Sequence, residues 1–109
     1  MKIVYRKQVE EDYAFIYATY LRNRWFDKKN TTTLKRATWS GLQHNRLENI
    51  LKNDYVVIAC FDDDTNHVVG YAFHDDGNVF SYVKLAFRGD GLKIKEHLIQ
   101  ELYAKSENS

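Results

Sequence analysis

Val79-Phe80-Ser81-Tyr82-Val83-Lys84-Leu85-Ala86-Phe87-Arg88-Gly89-Asp90-Gly91 is the stretch on which the fold turns. Its first nine residues are rich in β-branched and aromatic side chains and predict a strand over Val79–Phe87. Val79, Ser81, Val83 and Leu85 fall on one face, and Phe80, Tyr82, Lys84 and Ala86 on the other. The Arg-Gly-Asp-Gly that follows breaks the strand and opens a final helix, with Leu92, Lys95, Leu98, Ile99 and Leu102 expected on its inner face. A strand feeding a helix through a glycine loop gathers unpaired backbone N–H groups at one point. The helix macrodipole adds roughly half a positive charge there, which makes an anion site. Gly89 and Gly91 let a phosphate approach the backbone, and Arg88 can add a charge-assisted contact. Asp90 adds a negative charge to the same loop.

Upstream, Asp75-Asp76-Gly77-Asn78 is a turn, and His67–His74 is the hairpin partner of the strand that follows it. Asp62-Asp63-Asp64-Thr65-Asn66 is a second turn. Its acidic run lacks the distal glutamate of a calcium loop, because Phe73 stands where that ligand belongs. Tyr55–Phe61 is a nearly continuous apolar run, as in a strand buried on both faces. Before it, Leu34, Ala37, Leu42, Leu47, Ile50 and Leu51 recur at helical spacing, with Thr33 as a candidate N-cap and Gly41 as a break that predicts two shorter helices. An earlier helix starts at Glu10-Glu11-Asp12 and carries Ala14, Phe15, Ala18, Leu21, Arg22 and Trp25 on its apolar face. Lys2–Arg6 is a short first strand. The reading is α+β, in the order β-α-α-β-β-β-α, with a mainly antiparallel four-stranded sheet. One domain over 1–105 and a polar tail at 106–109 are expected.

That order and two local motifs resemble the GNAT (N-acetyltransferase) superfamily. His67-Val68-Val69-Gly70-Tyr71-Ala72 is similar to the family's third strand. Val79–Gly91 is similar to its fourth strand running into the pyrophosphate loop, whose signature places Arg88, Gly91 and a final small residue. That last place is held here by Lys93, which departs from the pattern and whose ammonium can reach a phosphate. A nearer likeness is to small acetyltransferase-like proteins of phages and prophages, through Tyr20-Leu21-Arg22 and His44-Asn45-Arg46-Leu47-Glu48-Asn49-Ile50-Leu51. The resemblance implies acetyl-CoA as cofactor, held by Arg88, Gly89, Asp90, Gly91, Leu92 and Lys93, with backbone contacts from Tyr82 and Val83. It also implies a fifth strand and a catalytic tyrosine that the sequence does not supply at the matching place, so a catalytically degenerate GNAT-fold binding or virion-associated module is the alternative to an enzyme.

Such chemistry needs a base for the acceptor amine, and Glu48, His44, His74 and Asp75 are the candidates. His44 and Glu48 are one helical turn apart and form a surface pair in the simplest reading. His74 and Asp75 are expected at a solvated turn, and His67 beside an acidic one. No metal is expected, because His44, His67, His74 and His97 do not have ligand spacing. Cys60, the single cysteine, lies in an apolar run as a buried thiol and excludes an internal disulfide. The formal net charge of +1 argues against nucleic acid bound by bulk charge. Between Arg22 and Arg36, however, basic residues surround Trp25 and Phe26, a local patch whose simplest reading is a solvated loop. No apolar run approaches ~20 residues, so no membrane span is expected, and the N-terminus lacks a signal peptide's apolar core. The expected place is the cytoplasm, or a host cytoplasm or virion if phage-encoded. With no fifth strand beside it, Val79–Phe87 is an expected edge, open to a homodimer or to a strand-adding protein.

Overall fold

The computed structural model describes residues 2–28, 36–63, 65, 67–75, 77–89 and 91–107, with 23–28, 36–40 and 106–107 described as backbone only. The order is β1 (Ile3–Lys7), α1 (Tyr13–Lys28), α2 (Arg36–Asn53), β2 (Val57–Phe61), β3 (Val68–Asp75), β4 (Asn78–Val83) and α3 (Ile94–Glu107). Short 3-10 turns precede α1 at Glu10–Asp12 and follow β4 at Leu85–Phe87. The four strands form one antiparallel sheet in the order β1-β2-β3-β4. The α+β class and the β-α-α-β-β-β-α order expected from the sequence are therefore present. The described residues group into two compact units, one of residues 1–9 and 55–109, the other Glu10–Asp54.

In the first unit, β1 joins β2 by a five-pair register from Ile3 opposite Phe61 to Lys7 opposite Val57. Gln8 extends this join, its amide donating to the Val56 carbonyl at 3.0 Å while its side-chain oxygen accepts the Val56 N–H at 3.0 Å. Between β2 and β3 the register slips, Ala59 facing Gly70 but Cys60 facing Val68. The residue skipped, Val69, thus stands on the same face as Gly70, as a β-bulge requires. That face receives α3: Val57, Ala59, Val69, Ala72 and Val83 form one core cluster with Ile94, Leu98 and Leu102. The other face carries Ile58, Cys60, Tyr71 and Phe73, all buried. Tyr71 and Phe73 stack on each other and on Phe80 and Tyr82 of β4.

Gly70 is where β3, β4 and α3 meet. A Cβ added there would lie 2.6 Å from the Tyr82 carbonyl oxygen, 3.3 Å from Val83 Cα and 3.4 Å from Leu98 Cδ1. Two of these are backbone atoms, so relief requires the strand itself to move.

Several sequence expectations are corrected. Val79–Phe87 is not one strand, because the ladder ends with the Lys84 amide on the Val69 carbonyl and the chain then tightens into the 3-10 turn. Leu85 consequently leaves the inner face and is exposed. The last helix starts at Ile94 and buries Ile94, Leu98 and Leu102, while Leu92 and Lys95 are exposed. It runs to Glu107, into the stretch expected as a tail.

In the second unit, Gly41 lies inside a continuous α2 that starts at Arg36, since the eighteen residues of that helix include it without a break. Leu47, Ile50 and Leu51 are buried as expected, but Leu42 is exposed. Across the 3-10 turn and α1 the buried stripe is Asp12, Ile16, Thr19 and Tyr20, not the alanines Ala14 and Ala18, which are exposed. Size explains the difference, because Ile16 and Tyr20 remove more apolar area from water than an alanine methyl. Thr19 is tolerated inside because its hydroxyl donates to the Phe15 carbonyl at 2.8 Å. Tyr13 donates its hydroxyl hydrogen to the Leu51 carbonyl, joining α1 to α2. Thr33, Leu34 and the loop from Lys29 to Lys35 lie outside the described residues.

On the α3 side of the sheet, Tyr5 Oη lies 3.2 Å from His97 Nδ1. Burial, and secondarily the Glu101 carboxylate, push the phenols of Tyr5 and Tyr55 above their ordinary value. A raised folded-state value means that the folded chain holds those protons longer than the unfolded one. The resulting stability is whole below the ordinary phenol value of 10.0 and is lost as pH rises through the raised values. Urea midpoints should therefore fall as pH rises above that point, and the Tyr5→Phe/Tyr55→Phe variant should show a shallower decline.

Replacing Gly70 by alanine should destabilise the fold by about 1–3 kcal/mol, the usual cost of overpacking a filled site. Urea unfolding followed by far-UV circular dichroism measures this, and a Gly70→Ala protein as stable as wild type would mean that β4 yields freely.

Candidate functional site

The segment joining β4 to α3 is held in an uncommon backbone conformation. Gly89 has φ 87°, Gly91 φ 75°, and Lys93 φ 53°, the only non-glycine in the left-handed region among the described residues. The Leu92 amide donates to the Gly89 carbonyl at 3.2 Å, which closes a tight turn. The His97 amide donates to the Lys93 carbonyl at 3.1 Å, so Lys93 stands at the helix cap. The amides of Ile94, Lys95 and Glu96 then occupy the first turn of α3, where an α-helix offers no internal acceptor. Ideal Cβ atoms on Gly89 and Gly91 meet nothing within 4 Å, so the loop backbone is open to an approaching group. Asp90 lies outside the described residues.

Arg88 has turned back along the strand. Its Nε donates to the Val83 carbonyl at 2.6 Å, and its guanidinium carbon sits 5.7 Å from the centre of the Tyr82 ring. A guanidinium carries five N–H donors, so this anchor leaves the two terminal nitrogens for an anion.

The register shows why the Val83 carbonyl is reachable. The Lys84 amide bonds the Val69 carbonyl, and the same register continues through Tyr82 opposite Tyr71 to Asn78 opposite Asp75. Hydrogen-bonded and non-hydrogen-bonded pairs alternate along an antiparallel ladder. The backbone polar groups of Tyr82, Phe80 and Asn78 therefore point to β3, and those of Val83, Ser81 and Val79 point to the open side of the sheet. Of the two residues expected to offer backbone contacts, Val83 directs its backbone groups to the open side and Tyr82 directs its own to β3.

The base candidates sit in different surroundings. In the second unit, His44 stacks on Tyr17, ring centres 4.3 Å apart and nearly parallel. Glu48 is paired not with His44 but with Lys52, Oε1 to Nζ at 2.7 Å. The hydrogen bond and charge of Lys52 hold the Glu48 carboxyl below its ordinary range, with a smaller contribution from His44. In the first unit, Asp75 is buried and His74 half-buried, edge-on to Tyr103 of α3 at 5.6 Å, so neither is at the solvated turn expected for it. His67 is exposed and stacks on Phe61, with its Nε2 3.0 Å from Lys84 Nζ. The acidic turn is organised by Asp63, which accepts the Thr65 amide at 2.9 Å. Cys60 is buried, as its apolar run implied. Among the described residues no group of three or more His, Cys, Asp or Glu could hold a metal ion, and no helix is long and apolar enough to cross a membrane. Arg22 is exposed, but the side chains of the Arg22–Arg36 basic patch from 23 onward lie outside the described residues.

Two features of the site were hidden from sequence reasoning. The left-handed backbone at Lys93 has no residue-level signal in a lysine, and the Arg88 anchor depends on which Val83 group faces outward.

This architecture, an open antiparallel four-stranded sheet in β-α-α-β-β-β-α order, is GNAT-like. The chain matches a solved structure described as a predicted acetyltransferase with acetyl-CoA from Clostridium acetobutylicum, with a TM-score of 0.64 and 15% sequence identity. The match covers 98% of this chain and 75% of that one. The likeness is one of fold. No family model and none of the curated proteins matches the sequence.

The left-handed conformation at Lys93 costs a side-chain-bearing residue about 1–2 kcal/mol, most of which glycine avoids. Lys93→Gly should accordingly stabilise the fold, by up to about 1 kcal/mol after glycine's own entropic cost. A urea midpoint that falls instead would show that the lysine side chain contributes more than its backbone strain removes.

Proposed function

We propose that this chain binds an acyl-CoA, acetyl-CoA in the first instance, through the β4–α3 loop and acts as an N-acetyltransferase on an amine. The observation that supports the reading most is the succession of left-handed residues Gly89, Gly91 and Lys93 at the start of α3, beside an outward-facing Val83 carbonyl. In this reading the amides of Gly89, Gly91, Leu92 and Lys93 and the first turn of α3 hold the pyrophosphate, where helix-terminal N–H groups and macrodipole both favour an anion. Arg88 gives up the Val83 carbonyl and turns its guanidinium to the same phosphate. The Val83 backbone pairs with an amide of the pantetheine arm. The cofactor supplies an activated thioester, and the chain's own residues bind and orient it.

A second reading, a GNAT-fold binding or virion-associated module without catalysis, is favoured by one observation. The Val83 carbonyl is already taken by Arg88, so an arm laid along β4 has to displace a short charge-assisted bond.

Calorimetric titration with CoA and acetyl-CoA separates the two. Saturable binding is expected, and Arg88→Ala should weaken it by about 1–3 kcal/mol, the range for a hydrogen bond to a charged group. No heat of binding at millimolar ligand would leave the second reading standing.

A further inference from the structure

Along β4 the residues Val79-Phe80-Ser81-Tyr82-Val83 read the same in either direction by chemical type: β-branched, aromatic, hydroxyl, aromatic, β-branched. The centre is Ser81. The backbone groups that face the open side belong to Val79, Ser81 and Val83, and among the described residues no strand meets them. We propose that this edge pairs with the β4 of a second copy of the chain, antiparallel about a two-fold axis through Ser81.

The choice of a second copy over a foreign strand rests on that palindrome. Of the registers that join outward-facing residues, the one centred on Ser81 uses all three. Val79 then lies opposite Val83 of the second copy, and Ser81 opposite its own equivalent, so both copies satisfy N–H and C=O together. Phe80 falls opposite Tyr82 of the second copy. The aromatic surface that already runs across Tyr71, Phe73, Phe80 and Tyr82 thereby continues from one sheet into the next. Charge agrees with the register. Lys84, just past the strand, falls opposite Asn78 of the second copy and not opposite another lysine, so it meets no like charge in this register. The interface is isologous and closes at two copies. Forming it requires Arg88 to release the Val83 carbonyl in each copy.

The unaltered 109-residue chain provides the first test. Sedimentation from micromolar to millimolar concentration should show a reversible monomer–dimer equilibrium. Amide exchange followed by nuclear magnetic resonance should gain protection at Val79, Ser81 and Val83 as concentration rises, with Tyr82 and Phe80 little changed. A chain that stays monomeric throughout, or a dimer in which those three amides exchange as before, overturns the proposal. Cross-linking tests the register in a Cys60→Ala background. In a non-hydrogen-bonded antiparallel pair the Cα atoms are about 4.5 Å apart, within disulfide reach. An oxidised mixture of Phe80→Cys and Tyr82→Cys chains should therefore cross-link, and neither chain alone should. Phe80→Cys chains that cross-link alone as readily as the mixture would exclude a two-fold axis at Ser81.

Discussion

The close approach of three elements at Gly70 is the constraint on which the site depends. With the Tyr82 carbonyl, Val83 Cα and the Leu98 side chain all within reach of a Cβ that is not there, β4 and α3 are both held against the middle of β3. The bulge that places Val69 beside Gly70 adds a second residue to the same face, and Val69 joins the core cluster beneath α3. The Val69 carbonyl then takes the Lys84 amide, the last rung of the β3–β4 ladder. Strand end, helix position and loop length are in this way tied to one pair of residues on β3. The ten residues from Lys84 to Lys93 must connect two fixed points, and they do so with a 3-10 turn followed by three left-handed residues.

That economy explains the strain at Lys93. A residue at a helix cap after two left-handed glycines has little freedom of its own, and the core on either side, Val83 before and Ile94 after, is buried. The packing energy of Ile94, Leu98 and Leu102 is large enough to offset an unfavourable φ of about 1–2 kcal/mol. Strain of this kind persists where surrounding structure over-determines it, and it is concentrated at ligand-binding segments.

The order of elements, the sheet, the hairpin turns and the buried cysteine were legible because each rests on local chemistry. Gly77 supplies the φ of 84° that its turn needs, and Asp63 caps its own turn two residues on. The faces of the helices were less legible. On α1 the spacing of apolar residues admitted two stripes, and side-chain volume at Ile16 and Tyr20 decided between them. On α3 the start of the helix was misplaced by the loop, which shifted the inner face from Leu92 and Lys95 to Ile94. The end of β4 was not legible, since Leu85, Ala86 and Phe87 suit a strand by composition, and only the final rung at Val69 stops the ladder. The loop was recognisable as a tight turn from its glycines, which take the left-handed backbone at Gly89 and Gly91. The roles within it were not, because Arg88's direction depends on strand parity, a property of pairing that no single segment carries.

The same parity makes the proposed uses of the edge compete. The Val83 carbonyl accepts from Arg88 in this structure, would accept an amide of a pantetheine arm, and would accept the amide of Val79 from a second copy. A carbonyl oxygen has two lone pairs, but one extended strand edge admits one neighbouring chain. Ligand and second copy therefore exclude each other sterically even where the oxygen could be shared. By linkage, the factor by which bound ligand weakens self-association equals the factor by which self-association weakens ligand binding. Arg88 stands on both sides of that balance: anchored at Val83 it opposes each occupant, while its terminal nitrogens favour only the one that carries phosphate. Charge, and not apolar area, is thus what would tip β4 from pairing with itself to holding an anionic cofactor.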